Sequence, residues 1–390
     1  MCKRVVFLTG TRADFGKVKS LMSILEESAD FEVFVFATGM HMEPRYGYTV
    51  REIEKCGFAN IYHYINAASE GLMDRSLANT IQGFGDYIRL IKPDLIVVHG
   101  DRCEALAGAM VGSLNNIMVA HIEGGELSGS VDELIRHAVS KMSHLHFVSN
   151  HRAKQRLMQM GEEPGAVFAI GSPDLDILAS PNLPSLEFVK DHYEIPFERF
   201  GILVFHPVTT AVSQLRHDAQ QVIEGVLASG KQFVAIYPNN DQGSNIILEE
   251  YEQRLAQAEN VRLFPSLRFE YILVLLQHAD FVVGNSSMGI HEAPFYGTPT
   301  INVGCRQQDR TKNPHIVHVA AETSLISEAI EQVCGVRHES STEFGQGDSD
   351  RRFIEVLGGD EVWKIGVQKR FRDAPVLAKL GKPQLMRSLI

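Results

Sequence analysis

Cysteine is scarce and scattered. Cys2, Cys56, Cys103, Cys305 and Cys334 are the only five in 390 residues, and no two have the close spacing that a zinc or redox site requires. They read as reduced and mostly structural. The chain also lacks any apolar run near the roughly 20 residues that span a bilayer. Its start, Met-Cys-Lys-Arg followed by Val5-Val6-Phe7-Leu8, is interrupted by Arg12 and Asp14 before it reaches the length of a secretory leader. A cytoplasmic location with no membrane partner is the default expectation. Excess positive charge is missing too: 37 Lys and Arg against 48 Asp and Glu leave a net charge of −11. That excludes a surface-wide electrostatic grip on nucleic acid, so any phosphate ligand should be small and met by a few placed cations.

What is present is an ordinary globular composition, 44% hydrophobic and 22% charged, in a chain long enough for two domains. Short β-branched and aromatic runs (Arg4–Leu8, Glu32–Thr38, Leu95–His99, Ile117–Ile122, Leu145–Ser149, Val167–Ile170) alternate with helix-period segments such as Phe15–Glu27, Leu72–Ile91, Cys103–Leu114 and Asp132–Met142. A proline-containing break at 179–184 interrupts the pattern, which then resumes with Gly201–Phe205, Phe233–Tyr237, Val261–Phe264, Phe281–Val283 and Thr300–Val303. The expected fold class is therefore α/β: two doubly wound parallel-sheet domains, 1–178 and 179–359, with a ligand between them at the carboxyl ends of the strands. Glu361–Phe371 reads as one more helix, and 375–390 as a weakly patterned tail.

The chemistry-bearing residues cluster where strands end. The first strand leads into Thr9-Gly10-Thr11-Arg12-Ala13-Asp14-Phe15-Gly16-Lys17, where a glycine-containing turn at a helix start offers backbone N–H groups, and Arg12 and Lys17 add cations. A capped helix with solvated charges fits the same residues. Two later strands end in Asp101-Arg102 and in Glu123, and Asp132 follows on a glycine-rich loop. Three carboxylates at one edge raise each other's pKa unless they have partners or jobs, which points to an acid/base cluster. Asp132 could equally be a helix N-cap, and Arg102 the partner of Asp101. His206 ends a strand facing the presumed cleft. Asn239 and Asn240 could bond a base or ribose, or form an Asx turn. Ser286 and Ser287 precede a helix and could meet a diphosphate, Glu292 could accept from ribose hydroxyls, and Arg306 could supply a further cation. As alternatives, Ser286 caps a helix and Arg306 lies on the surface.

Together these segments closely resemble the hydrolysing UDP-N-acetylglucosamine 2-epimerases of bacterial sialic acid synthesis, which are related to the epimerase domain of the animal bifunctional epimerase/kinase. The resemblance runs from Thr9 to about Phe371 through TGTRADFGK, HGDR, HIEGGELSGSVD, IRH, GSPDLD, FHPVTT, YPNND and GNSS. It implies a GT-B-like fold of two Rossmann-type domains, with a C-terminal helix, 360–374, crossing back to the first, and assembly as a homodimer or homotetramer. It also implies acid/base roles for Asp101, Glu123, Asp132 and His206. UDP contacts would fall at Arg12, Lys17, Arg102, Asn239, Asn240, Ser286, Ser287, Glu292 and Arg306. No metal or other cofactor is implied. The rival readings are a UDP-2,4-diacetamido-trideoxyglucose epimerase, a non-hydrolysing epimerase, a glycosyltransferase of the same fold and a silent nucleotide-sugar sensor.

Overall fold

The computed structural model describes residues 2–66, 72–128, 131–180, 182–239, 241–370 and 372. Two all-parallel sheets organise them. The first contains β1 (Lys3–Thr9), β2 (Phe31–Ala37), β3 (Asn60–His63), β4 (Leu95–His99), β5 (Met118–Ile122), β6 (Leu145–Val148) and β7 (Val167–Ala169), in the order β3-β2-β1-β4-β5-β6-β7. The second contains β8 (Gly201–Val204), β9 (Phe233–Ile236), β10 (Val261–Phe264), β11 (Phe281–Gly284), β12 (Thr300–Val303) and β13 (Ile316–Val319), in the order β10-β9-β8-β11-β12-β13. Each sheet reverses direction of winding once, between β1 and β4 and between β8 and β11, which leaves a crevice at those carboxyl ends. Among the described residues no helix is long and apolar enough to cross a membrane.

Strands covered by helices on both faces must be apolar on both, and successive residues serve opposite cores. Val5, Phe7, Val33 and Val35 enter one core with Val18, Leu21, Met22 and Leu25 of the helix Arg12–Glu26. Their neighbours Val6, Leu8, Phe34 and Phe36 enter the other with Phe84, Ile88, Ala105 and Ala109. The second sheet repeats this: Leu203, Ala235 and Val283 face one side, Ile202, Val234 and Val282 the other.

The chain returns to the first sheet earlier than the sequence suggests. The crossing helix is Ser349–Gly358, and where a helix is expected from Glu361 there is instead a 3-10 turn, Val362–Lys364, followed by irregular chain to Arg370, with Phe371 and 373–374 outside the described residues. Phe353 and Leu357 of the observed helix are buried in the first core, Phe353 against Phe147 with ring centroids 4.7 Å apart. Its N-terminus is held by Asp176, whose carboxylate accepts from the backbone N–H groups of Ser349 (2.8 Å) and Asp350 (3.0 Å). A cap supplied from so far away leaves no local trace in the sequence. The tail 375–390 lies outside the described residues.

Candidate active site

Both crevices open into one cleft. Asp101, Glu123, Asp132, Arg12, Lys17 and Arg102 line it from the first half. His206, Asn239, Ser286, Ser287, Glu292 and Arg306 line it from the second. Asn240 lies outside the described residues. The halves approach closely here: a Cβ on Gly16 would stand 2.6 Å from the Phe269 ring, so only glycine lets the helix Arg12–Glu26 pass.

The turn after β1 differs from expectation. Two of its amides are already used, because the Asp14 carboxylate accepts from Gly10 N–H (2.9 Å) and Thr11 N–H (2.8 Å), while Thr11 caps the helix in return. Arg12 lies between the halves, paired with Glu52 at 2.5 Å and hydrogen-bonded to Ser266. Lys17 is buried among carboxylates, 2.9 Å from Asp174, 3.6 Å from Glu292 and 3.9 Å from Glu123. Burial alone would lower its pKa, but these three acids outweigh it and hold the ammonium well above its ordinary value. The sequence shows no metal-ligand spacing, yet ligand atoms of Glu123, Asp174 and His291 come within 4.8 Å of one another. Lys17 is the cation of that cluster.

The three predicted carboxylates are together but not equivalent. Arg136 donates to Asp101 and to the Glu123 carbonyl, so Arg136, rather than Arg102, is the guanidinium bonded to Asp101. Arg102 reaches across the cleft to Asp241 at 3.0 Å. Burial pushes Asp101 up, but Arg136, Arg310, Arg306 and Arg102 overcome it and keep the carboxyl below its usual range. Glu123 adopts φ +60°, an uncommon left-handed conformation for a side-chain-bearing residue, right after β5. It accepts from His99 Nε2 (3.0 Å) and from Ser172, and Lys17 and His99 hold it well below the usual carboxylate range against burial. Asp132 goes the other way: burial and the neighbouring Asp101 charge raise it, although Arg306 Nη2 bonds it at 3.0 Å. Environments that separate carboxyl pKa values assign proton acceptor and proton donor.

His206 accepts the Asn239 N–H on Nδ1 at 3.0 Å, which leaves the ring proton on Nε2. Burial, then Arg306 and Arg102, push its pKa well below the ordinary histidine value, so it stays neutral. Its backbone is clamped by Asn285, which bonds His206 N–H (2.7 Å) and C=O (2.9 Å) and thereby locks the ends of β8 and β11 together. Gly284 is required beside it: at φ +133° its Cβ would lie 2.0 Å from the Val204 carbonyl. Ser286 does cap the following turn, accepting from Met288 N–H at 3.3 Å, and both serines face the cleft. Arg306 is a cleft residue rather than a surface charge.

A sequence profile described as UDP-N-acetylglucosamine 2-epimerase matches residues 23–358. The chain belongs to the UDP-N-acetylglucosamine 2-epimerase family. A relative from Neisseria meningitidis serogroup B, named UDP-N-acetylglucosamine 2-epimerase, is 47% identical and aligned over 95% of this chain and 99% of its own. A Legionella pneumophila relative, named UDP-N,N'-diacetylbacillosamine 2-epimerase (hydrolyzing), is 32% identical over 92% of this chain and 96% of its own. The two-sheet GT-B-like fold matches a Neisseria meningitidis UDP-GlcNAc 2-epimerase structure bound to UDP-GlcNAc, with TM-score 0.77 and 19% identity over 91% of this chain and 99% of that one. In this epimerase family member the residues that sequence reasoning passed over are His99, Glu126, Arg136, Asp174, His291 and Arg310. Four of them, His99, Glu126, Arg136 and Asp174, stand inside the motifs HGDR, HIEGGELSGSVD, IRH and GSPDLD, and only their partners were invisible.

Proposed function

We propose that this protein is a hydrolysing UDP-N-acetylglucosamine 2-epimerase, converting UDP-N-acetylglucosamine and water to N-acetylmannosamine and UDP. The observation that carries the reading is the separation of carboxylate environments on one wall of a cleft whose other wall presents Ser286, Ser287 and Arg306. The C2 proton of the sugar has no adjacent carbonyl to acidify it. Its removal must therefore be coupled to departure of the anomeric UDP, with positive character developing at C1. In the α-linked gluco sugar H2 and the UDP oxygen are axial on opposite faces, so anti elimination across the cleft gives 2-acetamidoglucal.

In that step a carboxylate takes H2, the C1–O bond breaks with its electrons on UDP, and a C1–C2 double bond forms. Hydration then adds hydroxide at C1 and a proton at C2 from the other face. One of Asp101 and Glu123, both held charged, takes H2 from its face of C2, and the other returns a proton to the opposite face after first taking one up from solvent. Asp132, held closer to its protonated form, and the Nε2–H of neutral His206 serve the leaving group and the second step. Lys17, Arg12, Arg102 and Arg306 stabilise the diphosphate as negative charge develops on it.

The hydrolysing outcome is supported by the name of the Legionella relative, and the N-acetylglucosamine substrate by that of the more similar Neisseria relative. The same Legionella relative supports a second reading, with UDP-2,4-diacetamido-trideoxyglucose as substrate. NMR of the reaction in D₂O tests the proposal: free UDP and N-acetylmannosamine carrying deuterium at C2 are expected. Product without deuterium at C2 removes the elimination scheme, retained UDP removes hydrolysis, and faster UDP release from the diacetamido sugar favours the second reading.

A further inference from the structure

We infer that Glu126 is a positioning residue that fixes the second half's Ser286–Glu292 segment against the carboxylates of the first half. The inference rests on the proposed reaction for its kinetic consequence, but its geometry does not. Glu126 follows Glu123 by three residues and is 3% exposed. One carboxylate oxygen accepts from Ser149 Oγ at 2.6 Å, just beyond β6, and so belongs to the first half. The other lies 3.0 Å from His291 Nε2 and accepts from Arg310, both on the second half. Arg310 in turn donates to Gln307 Oε1 (2.7 Å), and Gln307 donates to the Asn285 carbonyl (3.0 Å), where the Ser286 turn begins. His291 is packed face to face with Phe344 at 4.1 Å and immediately precedes Glu292.

Among the described residues three other buried ion pairs span the cleft: Lys17 with Glu292 (3.6 Å), Arg102 with Asp241 (3.0 Å) and Arg306 with Asp132 (3.0 Å). Each contains a cation that the proposed chemistry gives to the diphosphate. An arriving substrate competes for them, and they cannot hold the halves in register throughout a turnover. Lys19–Glu270 and Arg268–Glu52 are partly solvent-exposed, where ion pairs constrain little. Glu126 itself does not line the cleft, and it joins the halves through His291 and Arg310, to which the proposed chemistry gives no diphosphate contact. Its bonds are charge-assisted and fully enclosed, an arrangement that contributes more to defined geometry than to net stability.

Glu126→Gln keeps the volume and removes the charge. In the ligand-free protein, hydrogen exchange should speed up at the amides of residues 286–292 relative to the parent; unchanged exchange there overturns the tie. Kinetically, kcat for UDP release should fall about tenfold or more, while the UDP dissociation constant moves less than about threefold. A purely structural role would give a lower thermal midpoint with parental kcat per folded site. The double variant Glu126→Gln/Arg310→Gln removes both buried charges, and it should recover the thermal midpoint but not kcat; recovery of kcat refutes the positioning role. Should Glu126→Gln not fold, Ser149→Ala releases the same carboxylate from the first half and should show the same pattern more weakly, with unchanged exchange and kcat refuting it. A parent protein that fails to release UDP sinks the proposed reaction, whereas the exchange result stands or falls alone.

Discussion

His41 makes the structure testable by pH. It lies beneath the turn after β1, fully buried, with Nε2 3.0 Å from Thr9 Oγ1 and Nδ1 2.7 Å from Thr49 Oγ1. Burial lowers its pKa from 6.5 to about 4, Arg12 adds to the lowering, and Asp14 opposes it. A folded pKa below the unfolded one means that the unfolded chain takes up the proton first. Stability is therefore full above pH 6.5 and drains away as the pH falls toward 4. With these two values, the change from pH 7 to pH 5 costs about 2 kcal/mol through this one residue. His121, His146 and His206 are also lowered by burial and add losses of the same sign. Comparison with His41→Gln isolates the contribution. Urea titrations can follow Trp363, the only tryptophan, which packs on the first core and donates Nε1–H to the Leu357 carbonyl at 2.7 Å. The parent should lose about 2 kcal/mol more than the variant between the two pH values. Equal losses would mean that His41 is not held neutral, and the argument for this turn would fail.

Asp101→Asn should abolish release of N-acetylmannosamine while UDP binding by calorimetry remains measurable; full activity would remove Asp101 from the site. Arg136→Gln should weaken the fold by about 2 kcal/mol, since it leaves a mostly buried carboxylate without its guanidinium. It should also raise the Asp101 pKa, so that the acid limb of the pH profile for UDP release moves to higher pH; an unmoved limb contradicts the pairing. Phe353→Ala should cost about 3–5 kcal/mol, read as a lower urea midpoint of Trp363 fluorescence. Unchanged stability would show that the crossing helix does not complete the first core.

The interior strands were legible because both faces are buried, and β-branched runs such as Leu95–His99 and Thr300–Val303 carry that requirement in their composition. The strands missed, Asn60–His63 and Ile316–Val319, are the edges of their sheets, where polar residues such as Asn60 and His318 are tolerated and the pattern fades. The helix Ser349–Gly358 was misplaced because Asp176 fixes its start from far along the chain, and no local spacing records that. Strand-end position was enough to put Asp101, Glu123 and His206 at the cleft they line. Which charges meet was hidden: Arg102 finds Asp241 rather than its neighbour, and Arg136 reaches Asp101 from inside a helix. Pairings across the cleft depend on how two sheets are set against each other, which no single stretch of sequence encodes.

The crossing helix also orders events during synthesis. All seven strands of the first sheet precede β8, yet its core is closed by Phe353, Leu357 and Val362, which leave the ribosome only after the whole second sheet. A nascent chain stalled anywhere between β7 and Ser349 displays an apolar trough over Phe7 and Phe147 with nothing to fill it. The second half can bury its own core first, so the later-made sheet is the one able to finish folding first. The earlier one must be sheltered until the chain returns to it.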